Sequence, residues 1–243
     1  IGAGVSAAGE AAVSGTVVVT QTKGTAGAVM DGAKINNAKE IIAHASDDTD
    51  ILSVIGTVNI AGKAAVGAGV AYTEIGGVSD DKEKAEQHVT AEIKNSTINS
   101  DGADSTVEVK AKDEARVINV AIGVGGAGNV AVQGASATTL INKETSAGIN
   151  STNIDAGHED STKANVTVDA QNSSEITSSA STVAVAGSGA GVGAGIAVNR
   201  IIQQTNAAVT GGTMNVNNLK VNANATPRIE NIGVGGGIVG EGG

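Results

Sequence analysis

Residues 183–198 read VAVAGSGAGVGAGIAV, with glycine at every second position from Gly187 to Gly195. Successive side chains of a strand point to opposite faces. One face of this stretch is therefore bare backbone, and the other carries Ser188, Ala190, Val192 and Ala194. A helix gains nothing from such a pattern, because each interior Gly costs about 1 kcal/mol relative to Ala. Weaker versions stand at Gly2-Ala3-Gly4, Gly67-Ala68-Gly69, Gly123-Val124-Gly125 and Gly233-Val234-Gly235. The chain is a repeat protein. Its bare glycine face is expected to be the narrow, tightly packed side of the core rather than a flat contact surface for another chain.

The rest of the repeat aligns around these stretches. A half-unit of Ala-x-(Ile/Val), a small turn and a second apolar residue begins at Ala26, Ala91, Ala147 and Ala207. Taken on the central aliphatics Val29, Ile93, Ile149 and Val209, the spacings are 93 − 29 = 64, 149 − 93 = 56 and 209 − 149 = 60. A second strand follows at Glu40–Ala43, Val107–Ala111, Val166–Ala170 and Leu219–Ala223, and all but the first alternate with period two. An isolated aliphatic comes next (Ile51, Val117, Ile176 and Ile229), then the glycine-rich stretch. A unit of this size suits three stacked coils of roughly 20 residues, or a set of hairpins. About twelve coils at 4.8 Å spacing would make a rod roughly 50–60 Å long.

Composition narrows the class. The 243 residues include 35 Gly, one Pro, one Tyr (Tyr72) and no Cys, Trp or Phe. Aromatic side chains normally supply the largest pieces of a globular core, so small aliphatics in a regular space must replace them. The lack of Cys removes disulfides and thiolate metal sites. A net charge of −10 opposes a nucleic-acid partner, which needs clustered Lys and Arg, and opposes a polybasic membrane contact. The uncharged stretches Val117 to Asn142 and Ile176 to Asn199 hold too much Ser, Thr, Asn and Gly for transmembrane helices. The sequence opens and closes inside a repeat, so a piece of a longer protein is expected.

Several motifs resemble chemistry. Gly123 to Gly128 matches G-x-G-x-x-G, but the following Asn129 to Gly134 alternates like a strand, where a dinucleotide site requires a helix. Acidic clusters stand at Asp47-Asp48 with Asp50, Asp80-Asp81 with Glu83, Asp101 with Asp104, and His158-Glu159-Asp160. Paired acids can cleave glycans, yet each cluster sits among loop-forming residues, and no Trp or Phe offers a sugar platform. Asp47, Asp48 and Asp50 are the best candidates for one weak Ca²⁺. His44, His88 and His158 occupy unrelated points of the repeat and read as surface residues. Asn-x-Ser/Thr at Asn95, Asn150, Asn165, Asn172 and Asn224 reads as turn and ladder asparagine rather than as glycosylation. No catalytic, cofactor or metal residue is assigned.

One insertion, near 76–88, breaks the outline of a chain otherwise read as a single segment, 1–243. Glu83 to Gln87 can form a short helical turn there, with Ser79 in the N-cap position. Asp80, Asp81, Lys82, Glu83 and Lys84 are the candidate partner-binding residues.

With Ala184-Val185-Ala186-Gly187-Ser188-Gly189 and Gly195-Ile196-Ala197-Val198-Asn199 set beside the missing Cys and the near absence of aromatics, the chain resembles a family. It is similar to the filamentous-haemagglutinin-like exoproteins of Gram-negative bacteria, including leukotoxin-like members, exported by two-partner secretion or as autotransporters. The resemblance implies an all-β, right-handed parallel β-helix at the cell surface or outside the cell, acting in adhesion or host-cell damage. Its unit of about 60 residues departs from that family's commoner repeats of about 20. The expected function is a non-enzymatic adhesive segment that presents loops to a host-cell receptor or glycan. A membrane-active toxin segment inserting residues 183–198 is the alternative, and a polysaccharide-active enzyme using Asp80 and Asp81 is a third.

Overall fold

The computed structural model describes residues 1–77, 85–100, 105–155 and 164–240. Among these residues every regular element is a strand. In chain order they are β1 (Gly2–Ala8), β2 (Ala11–Thr22), β3 (Gly24–Asp31), β4 (Lys34–Asn36), β5 (Glu40–Ala61), β6 (Ala64–Ile75), β7 (Gln87–Lys94) and β8 (Thr97–Asn99). There follow β9 (Thr106–Ala127), β10 (Val130–Asn150), β11 (Asn153–Asp155), β12 (Asn165–Ala186), β13 (Ala190–Thr210), β14 (Met214–Asn215) and β15 (Asn218–Val239).

The strands form three sheets, and their ladders are parallel. The first sheet runs β1-β5-β9-β12-β15. The second carries β2 and β3, then β6 and β7, then β10 and β13. The short third sheet is β4-β8-β11-β14. Each pass of the chain visits the sheets in this order and pairs with the pass before it.

The register corrects the expected coil size. Ile41, Val107, Val166 and Leu219 are successive partners, as are Ile51, Val117, Ile176 and Ile229. Those steps are 107 − 41 = 66, 166 − 107 = 59 and 219 − 166 = 53, and Val132 pairs with Val192 at a step of 60. One repeat is thus one pass, not three stacked coils, and parallel pairing excludes hairpins. Strands of 22 residues make the body about 70 Å wide, while four to five strands per sheet stack to roughly 20 Å.

The corner between the second and third sheets fixes this register. Gly32, Asn95, Ser151 and Gly211 all have positive φ, at 66°, 50°, 47° and 66°. Their backbone N–H groups step up the stack, Gly32 donating to Lys94 O, Asn95 to Asn150 O and Ser151 to Thr210 O. Counting back from this corner, Met30 rather than Val29 pairs with Ile93. Val29 faces out and Met30 packs against the core. In a strand, an alignment error of one residue exchanges the two faces.

The glycine stretches also separate into two sets. Gly2, Gly4, Gly123, Gly125, Gly233 and Gly235 belong to the first sheet, and Gly67, Gly69, Gly191, Gly193 and Gly195 to the second. They are facing surfaces, not copies of one strand. Between them the core tapers. Ile, Val and Ala fill the end near the third sheet, around Ile41, Val107, Ile93 and Ile154. A ring of Ile75, Val117, Ile141 and Ile176 follows, then small clusters around Ala121 and Ala180 and around Ala61 and Ala65. At the narrow end a Cβ on Gly191 would stand 2.6 Å from Ile238 O. The bare face is packed at Gly191, Gly193 and Gly195, as expected, whereas Gly187 and Gly189 are exposed in the turn between β12 and β13 rather than part of that face.

Candidate interaction surface

The insertion is anchored at one point of the second sheet. Ile75 pairs with Ile141 and Gln87 with Lys143, so residues 76–86 stand where the third pass has Asn142 alone. The first pass has only Lys23 at this place, between Thr22 and Gly24. Gly76 (φ 79°) donates its N–H to Thr22 O, and Glu86 N–H closes the root on Gly76 O at 2.6 Å. Lys23 Nζ reaches Glu86 at 2.5 Å. A Cβ on Gly76 would overlap Asn142 O, so the chain leaves and re-enters the sheet through a gap that only glycine fits. Asp80, Asp81, Lys82, Glu83 and Lys84 lie outside the described residues, as do Ser79, Asp101, Asp104 and the cluster of His158, Glu159 and Asp160. Of the expected helical turn, Glu86 is a bend and Gln87 already belongs to β7.

Other expected sites are dispersed by strand alternation. On β5, Asp47 faces the interior while Asp48 and Asp50 face outward. Asp47 therefore does not converge with Asp48 and Asp50 on one cation. Among the described residues no three His, Cys, Asp or Glu side chains converge as metal ligands. Gly123 to Ala127 finish β9, and β10 follows at Val130 with no helix to face a pyrophosphate. His44 lies on the outward face of β5, and His88 Nδ1 is 3.3 Å from the Glu144 carboxylate on the outer face of the second sheet. Asn95 donates to Asp31 at 2.9 Å and Asn165 accepts from Asn218 at 2.8 Å. Asn172 is fully buried, so folding withdraws that sequon.

Sequence reading missed a polar seam across the interior. Asp47, Asp113 and Asn172 form one ladder on the first sheet, and Gln87, Lys143 and Gln203 form the facing ladder on the second. Gln87 Nε2 donates to Asp47 Oδ2 at 2.7 Å, and Gln203 Nε2 donates to Asn172 Oδ1 at 2.7 Å. Between them Lys143 Nζ touches Asp113 Oδ1, with both side chains 0% exposed. The aliphatic groups around Ile41 and Ile75 flank the seam on either side. Burial pushes the Asp113 carboxyl up to about 6 against the pull of Lys143, and burial likewise lowers the Lys143 ammonium. Alternation placed Asp113 and Lys143 on an inward face; what hid the pairing was the distance along the chain.

Beyond the seam the patterning inverts. Outward positions of the first sheet carry Leu52, Ile60, Ile122, Val124, Val183 and Val185, all exposed. Inward positions of the same strands carry buried Ser53, Thr57, Asn59, Asn119, Ser178 and Thr182. On the second sheet Val13, Val66, Val132 and Val192 form an outward ladder, while Gln133 is buried behind them. The stretches 52–61, 118–127, 177–186, 11–20, 64–73, 130–139 and 190–199 contain no charged residue. Glu10 and Lys63 sit at the turns beyond them, paired at 2.6 Å. Nearer the third sheet the order is conventional, with Val107, Val109 and Ala111 inside and Glu108, Lys110 and Lys112 outside.

Two surface hollows measure about 180 and 210 Å³, below the roughly 300–1,000 Å³ of ligand pockets. The class these features define is an all-β protein of parallel strands. No family model, curated protein or solved structure matches the chain.

Proposed function

We propose that the chain is a right-handed parallel β-helical segment of a large secreted or cell-surface bacterial exoprotein. In this reading it is non-enzymatic and adhesive, holding loops out toward a host-cell receptor or glycan. The observation that carries the reading is the contrast between a register repeated at every pass and an insertion closed at its root, 76–86 against Asn142 alone. A constant frame with an elaborated loop suits presentation, since binding residues concentrate on loops held by a rigid scaffold. Parallel strands in one sheet are almost always joined with right-handed sense, which supports the handedness.

The test replaces residues 76–86 by a single Asn, as in the third pass. The variant is expected to keep its strand-type circular dichroism spectrum and its melting temperature within a few degrees. Its binding to cultured epithelial cells, followed with labelled protein, is expected to fall to background. Undiminished binding by the folded variant would remove Asp80 to Lys84 from the adhesive role.

The inverted half favours a second reading, a membrane-active segment. Ten uncharged residues of strand span about 33 Å, close to the roughly 30 Å hydrocarbon core of a bilayer. Apolar-out, polar-in alternation is the pattern of strands that cross membranes. The edge strands β1, β2, β13 and β15 would need pairing by further chain or other copies, because lipid tolerates no open sheet edge. In this reading, dye release from phosphatidylcholine vesicles is expected from the native protein and is lost in Val58→Asp with Val124→Asp, outward neighbours in the first sheet. Vesicles that stay sealed to the native protein would exclude it.

A further inference from the structure

We propose that Lys143 and Asp113 condense into an intramolecular amide, a covalent cross-link between the first and second sheets, with Asp47 carrying the proton. The arrangement is specific to the third pass. The equivalent places hold Asp47 against Gln87 and Asn172 against Gln203, and only here does an amine meet a carboxyl. The Lys143 Nζ touches Asp113 Oδ1, and neither side chain is exposed. Asp47 is the direct neighbour of Asp113 on β5, on the same interior face. Its Oδ2 is held by Gln87 Nε2 at 2.7 Å and by Thr49 Oγ1 at 2.9 Å.

Burying two charges costs several kcal/mol per ion even when they are paired. Transfer of one proton within the contact converts ammonium and carboxylate into amine and carboxylic acid, the two forms that react. Burial drives both groups in that direction, raising Asp113 and lowering Lys143. The Nζ lone pair then attacks Asp113 Cγ, forming the N–C bond. Asp47 accepts the proton released from Nζ and passes it to the departing hydroxyl. The bond from Cγ to that oxygen breaks and one water leaves. No oxidant, cofactor or activating group is consumed. Fixed contact between the two groups replaces chemical activation, as in intramolecular reactions of high effective molarity. The product is a neutral amide in place of two buried charges.

Intact-mass spectrometry and tryptic mapping of the purified chain test the proposal. The native protein is expected to weigh one water less than its sequence and to yield a branched peptide uniting residues 113–116 with 117–163. Lys143→Arg keeps a cation but cannot form the amide, and is expected at full sequence mass. Asp47→Asn leaves both reacting groups in place and is expected to remain largely uncondensed. Folded native protein at full mass, with trypsin cutting after Lys143, would overturn the proposal. So would a lost water that maps to a cyclic imide at Asp31-Gly32. A cross-link that forms fully in Asp47→Asn would overturn the role given to Asp47.

Discussion

Gly195→Val is expected to unfold the narrow half of the molecule, while Gly126→Ala leaves it intact. Both glycines lie within long strands, and both are replaced by residues with good or tolerable strand geometry. They differ in what lies beyond the missing side chain. A Cβ on Gly195 would overlap the Ala180 carbonyl oxygen and stand 2.7 Å from Val234 O, both on the facing sheet. Those are backbone atoms held in parallel ladders, Ala180 between strands on both sides, so no rotamer change relieves the clash. The cost is expected at or above the upper end of the usual overpacking range, about 3 kcal/mol. A Cβ on Gly126, which faces outward between Ile60 and Val185, meets nothing within 4 Å. That substitution is expected to change stability by less than about 1 kcal/mol, in the stabilising direction, by restricting the unfolded chain. Thermal unfolding followed by circular dichroism measures both. Limited proteolysis adds a local readout: residues 183–198 stay uncut in the native chain and in Gly126→Ala, and are cut in Gly195→Val. Equal stability of the two variants would mean that the glycine faces do not meet.

Lys143→Met is expected to cost about 3–5 kcal/mol at pH 7, because it strands the Asp113 carboxylate inside the protein. The loss is expected to shrink in acid. With Lys143 present and the pair uncondensed, burial already lifts Asp113 to about 6 from an ordinary 3.8, and removing the ammonium takes away the influence that lowers it. From about pH 4 to beyond pH 6 the folded variant therefore holds a proton that the unfolded chain has released. Its stability is greatest below that window and falls as pH rises through it. Melting temperatures at pH 4 and pH 7 check the direction. Adding Asp113→Leu to Lys143→Met removes the stranded charge, and the double variant is expected to be more stable at pH 7 than the single one. A pH-independent loss in Lys143→Met would show that Asp113 is not the group left uncompensated.

Much of the fold was legible because strand alternation writes burial directly into sequence. The ladder of Ile51, Val117, Ile176 and Ile229 aligns by eye and pairs as aligned. Coil size was not legible, since a 22-residue strand carries the same period-two signal as three short strands joined end to end. The first copy slipped by one residue because Val29 and Met30 are both aliphatic, and only the left-handed corner at Gly32 chooses between them. Nothing in the sequence alone couples Asp113 to Lys143. Their meeting depends on β9 and β10 lying face to face after a turn at Gly128-Asn129, a relation that no local spacing reports. The inverted half escaped notice for a similar reason. Alternation marks two faces of a strand, but the facing sheet decides which of them is inside.

The register has a consequence for how the chain comes to fold. Partners in successive passes are separated by 53 to 66 residues, and the short sheet repeats the rule with Ile98 to Ile154 at 154 − 98 = 56. No strand of one pass can complete its ladder until most of the next repeat is available. Starting the structure from an extended chain is therefore slow, because a long loop must close before any parallel ladder forms. Once one pass is laid down it offers an ordered edge to the next, and growth becomes templated addition. A chain emerging end-first from a pore would meet that template already in place on the far side. Each added repeat would then draw the following one outward.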